Sequence, residues 1–103
     1  MVCCQLSISN CSELSDYVNE TLCYHNQLKK DAFQMTQRLL VRSGRPCGIF
    51  YCLHGPRMVK FTAIWEKEKN QVLFYGPTGE KVQQTKLLDS ISDMDTAFQV
   101  TEA

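Results

Sequence analysis

A chain of 103 residues, 44% hydrophobic, with five Phe, four Tyr and one Trp, is the size and composition of one globular domain. Its eleven basic and eleven acidic residues cancel, which falls short of the basic footprint usual in nucleic-acid-binding domains. It contains no internal repeat, no low-complexity tract and no run near the roughly 20 apolar residues that a membrane-spanning helix needs.

The zero sum conceals a pattern. Residues 1–28 carry Glu13, Asp16 and Glu20 without any Lys or Arg, and residues 87–103 carry Asp89, Asp93, Asp95 and Glu102 likewise. All eleven basic residues lie between 29 and 86. Either the acidic ends fold back on the basic centre, or the centre meets an acidic or phosphate-rich partner.

Residues 1–11 read as a flexible lead-in, or as a short strand at Gln5-Leu6-Ser7-Ile8. They lack the basic start and long apolar core of a signal peptide, so the expected setting is cytoplasmic or nuclear. In that setting the six cysteines are expected as reduced thiols rather than a disulfide framework.

Ser12 is a candidate N-cap, with Glu13 and Asp16 in the first turn where the helix dipole favours negative charge. From there Leu14, Val18, Leu22, His25, Leu28, Ala32, Met35 and Leu39 follow at steps of three and four. Ser43-Gly44-Arg45-Pro46 then offers a glycine for a left-handed helix end and a proline beyond it. The spacing predicts a long amphipathic helix over about 13–43, with Asn26 as the place where a break would fall.

Three strands follow, separated by Gly55-Pro56-Arg57 and Lys67-Glu68-Lys69-Asn70. The first sets Ile49, Tyr51 and Leu53 against Phe50, Cys52 and His54, and the second Val59, Phe61, Ala63 and Trp65 against Lys60, Thr62, Ile64 and Glu66. The third sets Val72 and Phe74 against Leu73 and Tyr75. After the turn Gly76-Pro77-Thr78-Gly79, a weaker fourth strand over 80–86 suits a sheet edge. Leu87, Leu88, Ile91, Met94 and Phe98 then recur at helical spacing among acidic residues, as a short closing helix or an acidic tail. The expected fold is therefore α+β. A long N-terminal helix packs on a three- to four-stranded antiparallel meander in one domain over 12–86, followed by an acidic amphipathic segment over 87–103.

Chemistry is sparse. Cys23, His25, Cys47, Cys52 and His54 are zinc-type ligands, yet their spacing is poor, so neither a metal nor any other cofactor is expected. Cys52 or Cys47 beside His54 or His25 would make a nucleophile and base, but no glycine elbow or third orienting group accompanies them. No enzyme activity and no small-molecule substrate is expected. One helix covers one face of a sheet, so Phe50, Cys52, Ile64 and Leu73 or Phe74 would leave apolar surface on the other. This points to a protein-interaction module, an adaptor or regulatory subunit, bound to another protein or to itself. Its candidate contacts are Phe50, Ile64, Trp65 and Phe74 on the sheet, Arg57 and Lys60 beside it, and Leu88, Ile91, Met94 and Phe98 on the tail. The alternative is nucleic-acid binding by the basic, aromatic-rich stretch 29–86.

Overall fold

The structure is a computed structural model and describes residues 2–89 and Ile91. Its elements are β1 (Val2–Leu6), α1 (Cys11–His25), β2 (Met35–Arg42), β3 (Arg45–His54), a single 3-10 turn (Pro56–Met58), β4 (Lys60–Glu66), β5 (Gln71–Tyr75) and β6 (Lys81–Leu87). All six strands form one sheet in the order β1-β6-β5-β4-β3-β2. Strands β2 to β6 are an antiparallel meander, and β1 pairs with β6 in parallel. The expected long helix on a three- to four-stranded, purely antiparallel meander is corrected to a fifteen-residue helix on a six-stranded mixed sheet.

The helix ends where it does because of a cap that has no glycine. It begins at Asn10 rather than Ser12, the Asn10 side chain accepting from the Glu13 N–H at 2.9 Å. At the far end Gln27 takes φ 55°. The Leu28 N–H then reaches the Cys23 carbonyl at 2.9 Å, and the Gln27 N–H reaches that of Tyr24. This is a Schellman closure, normally built on glycine because left-handed φ crowds a Cβ. The Asn26 amide adds a bond to the Leu22 carbonyl at 2.8 Å, and Leu28 packs against the core.

What looked like the second half of the helix is β2. Met35 and Leu39, four apart, share a face in a strand as they do in a helix, so both periods claim them. Ser43 (φ 53°) and Gly44 (φ 75°) supply the consecutive left-handed residues of a two-residue hairpin, across which Arg42 pairs with Arg45. A glycine that reads as a helix stop here turns a strand.

One face of the sheet is sealed by α1. Leu14, Val18 and Leu22 lie on Ile49, Tyr51, Leu53, Phe61, Ala63, Trp65, Val72 and Phe74, all buried in a single cluster. Each such aliphatic side chain removed from water contributes about 1.5–3 kcal/mol. Tyr17 meets Phe74 edge-on, with ring centroids 5.9 Å apart. Ile91 also joins this cluster, on the helix side of the sheet.

Strand β6 is interior, not an edge, although it is poor in apolar residues. Its core-facing Gln83 and Thr85 are matched by groups from α1. Tyr17 Oη lies 2.7 Å from Thr85 Oγ1, and His25 Nε2 lies 2.7 Å from Gln83 Oε1. Gln83 also donates to Tyr17 Oη at 3.0 Å. A satisfied polar network holds this strand where an apolar row holds the others.

Asn70 ties the far end together. At φ 48° it closes the β4–β5 turn. Its Oδ1 accepts from the Trp65 indole at 3.1 Å, and its Nδ2 donates to the Leu87 and Asp89 carbonyls at 3.3 and 2.7 Å. Asn70→Ala strands a buried indole N–H and frees the end of β6, and is expected to cost about 2–4 kcal/mol. Gln27→Gly relieves the left-handed cap and is expected to add about 0.5–1 kcal/mol. Chemical denaturation of the two variants against the parent checks both signs.

Candidate interaction surface

The second face of the sheet follows from the register. Arg38, Phe50, Ile64, Leu73, Gln84 and Cys3 stand opposite one another across β2, β3, β4, β5, β6 and β1. The neighbouring row carries Thr36, Cys52, Thr62 and Tyr75. Phe50, Ile64, Leu73 and Tyr75 are half-buried by their strand neighbours and do not belong to the core cluster under α1. Among the described residues no helix lies across them. They form an apolar patch at the centre of an open face.

Around the patch the charge is predominantly basic. Arg38, Arg42, Arg45, Lys60, Lys81 and Lys86 occupy strand positions on this face, against the single strand carboxylate of Glu66. The Arg38 guanidinium sits 5.3 Å from the centroid of the Phe50 ring, a cation–π contact that occupies one face of the ring. Among the described residues the one ion pair is Lys30 with Glu20, on the opposite side of the molecule. None of the six cations on this face forms an ion pair among the described residues. At the hairpin end of the face an open groove of about 640 Å³ runs between Leu40, Arg42, Cys47 and Ile64 and the β4–β5 turn. Gly48 is required beside it, since a Cβ there would stand 2.2 Å from the Trp65 carbonyl oxygen.

The structure divides the residues nominated from sequence. Phe50, Ile64 and Lys60 lie on the open face, and Arg57, at φ 58°, projects from the turn at its edge. Trp65 and Phe74 do not lie there. They are 1% and 0% exposed beneath α1, because they are one residue out of phase with Ile64 and Leu73, and their role as contacts is withdrawn. Ile91 is likewise buried, whereas Leu88 is exposed beyond β6 with its N–H bonded to the Leu6 carbonyl. Met94 and Phe98 lie outside the described residues. Tyr75, Leu73, Arg38, Lys81 and Lys86 join the surface. Strand parity identifies all of them but Lys81, which a register shift sets opposite Tyr75.

The Cys/His candidates do not converge. Cys23 and His25 sit on the helix side and Cys52 and His54 on the open side, with the sheet between them. Cys23 is spent on Asn19 and the Lys29 carbonyl, and burial, with Asp31 adding to it, pushes its thiol pKa up, away from the thiolate that a ligand or nucleophile needs. His54 Nε2 is bonded to Thr36 at 3.1 Å. Among the described residues no three His, Cys, Asp or Glu side chains gather around a common point. No helix among them is long and apolar enough to cross a membrane.

No protein-family model, curated protein or solved structure matches the chain. The surface is therefore read from its own chemistry.

Adjacent residues of β4 test the two-faced reading. Ala63→Asp places a carboxylate beneath α1 and is expected to unfold the domain or cost at least about 3 kcal/mol. Ile64→Asp places it on the open face and is expected to cost no more than about 1.5 kcal/mol, the range of strand propensity and partial exposure. Urea unfolding of the pair gives the comparison directly.

Proposed function

We propose that this chain is a non-enzymatic protein-interaction module, an adaptor or regulatory subunit, that works through the open face of its sheet. The observation that carries this reading is the cross-strand row Phe50–Ile64–Leu73, apolar, central to the sheet and uncovered by any described helix. Apolar surface held at the centre of a rigid sheet is suited to docking, because the partner meets it without any ordering of the chain that presents it.

Nucleic acid is the competing partner, given the cations around the patch. Two aromatic rings stand on this face, and the guanidinium over Phe50 leaves Tyr75 as the ring free to stack on a base. The aliphatic centre of Ile64 and Leu73 is better matched to protein.

A photo-crosslinking residue introduced at Ile64, and separately at Asp16 on the outer side of α1, tests the assignment in cells. The reading predicts discrete protein adducts from position 64 and none from position 16. Equal adducts from both positions, RNA adducts from position 64, or none at all would contradict it.

A further inference from the structure

Resting on the reading of the open face as a protein-docking surface, we propose that its partner is an acidic amphipathic segment: a peptide stretch in which Leu, Phe or Ile alternates with Asp and Glu. The apolar row accounts for half of that description. The charge around it accounts for the rest.

The open face sets six cationic side chains against one carboxylate on its strands. The Glu66 carboxylate is already engaged by the Gln71 amide at 2.9 Å. The helix side of the molecule is acidic on balance, although Lys29 and Lys30 follow α1 and Lys30 pairs with Glu20 at 3.6 Å. Glu13, Asp16 and Glu20 are exposed on α1, and no Lys or Arg lies in residues 1–28. The fold thus separates charge into two faces, and an acidic ligand is drawn to one and turned away by the other.

The same separation disfavours the other occupants. Two copies that paired their open faces about a two-fold axis would set cations against cations, with one Glu66 each to offset them, so self-association through this face is opposed. A single-stranded nucleic acid would find phosphate contacts but little stacking, since Arg38 occupies one face of Phe50 and the centre is aliphatic. An acidic segment with apolar side chains uses both the row and its rim. Arg38 stands at the β2 end of the row, and Lys60 lies two positions from Ile64 along β4, beyond Thr62. Carboxylates beside an inserted Leu or Phe would meet them.

The experiment uses the full chain and fluorescence anisotropy with three labelled probes: a synthetic Leu/Phe peptide with Asp and Glu between the apolar positions, its counterpart with Lys in place of the acids, and oligouridylate. The acidic peptide is expected to bind, to weaken as salt rises, and to lose roughly tenfold or more in affinity both in Ile64→Asp and in the exposed-site variant Arg38→Glu. The basic peptide and the RNA are expected to bind weakly or not at all. Equal or better binding of the basic peptide, still dependent on Ile64, would overturn the acidic partner while leaving the docking surface standing. Tighter binding of oligouridylate, or acidic-peptide binding indifferent to Ile64, would overturn both. Sedimentation of the free chain as a dimer that Ile64→Asp dissolves would overturn the acidic partner in favour of a second copy. No binding by any probe would also overturn it.

Discussion

One crossing of the sheet determines the rest of this molecule. Five of the six strands follow one another through hairpins that stay within the plane of the sheet, and only the passage from β1 at one edge to β2 at the other must travel over a face. That passage contains α1. Helices pack on sheets by burying one stripe, so Leu14, Val18 and Leu22 seal the face they cross. The strand order gives the described chain no second crossing with which to seal the other. Ile91 returns to the sealed side. The asymmetry between a dry face and an open one is thus a property of the topology, and the apolar row on the open face is its consequence.

The two faces are held by different physics. Beneath α1, large side chains interlock: Tyr51 and Trp65 are nearly fully buried, and burial raises the Tyr51 phenol well above its ordinary range. Gln83 and Thr85 enter this layer hydrogen-bonded to Tyr17 and His25, whereas the buried Tyr51 hydroxyl has no partner among the described residues. On the open face, cross-strand pairs lean on one another with no covering layer among the described residues, and the charged rim keeps the patch wet at its margins. A surface of this kind tolerates substitution with little loss of stability.

The strands from Ile49 to Tyr75 were legible because alternation and turn residues agreed there. Lys67-Glu68-Lys69-Asn70 is the turn that the residue types imply, with Asn70 in the left-handed position. Three features were hidden. The helix end carries Gln27 where glycine is usual, so nothing in composition marked the stop. Met35 and Leu39 fit both periods, which let β2 pass for helix. Strand β6 lacked an apolar row, its burial depending on hydrogen bonds to α1 that no local pattern displays. For the surface, the presence of a spare apolar face was legible, but its membership was not. Phe74 and Leu73 exchange roles with a shift of one residue, and only the pairing of Leu73 with Ile64 decides between them.

The central claim is that this sheet is covered on one face and open on the other. Hydroxyl-radical footprinting of the free protein, read residue by residue, tests it most directly. The account predicts that Phe50 and Tyr75 are oxidised several-fold faster than their neighbours Tyr51 and Phe74, which lie on the sealed side of the same strands. Equal protection of all four rings would show a second covering layer, and the open-face account would then be wrong.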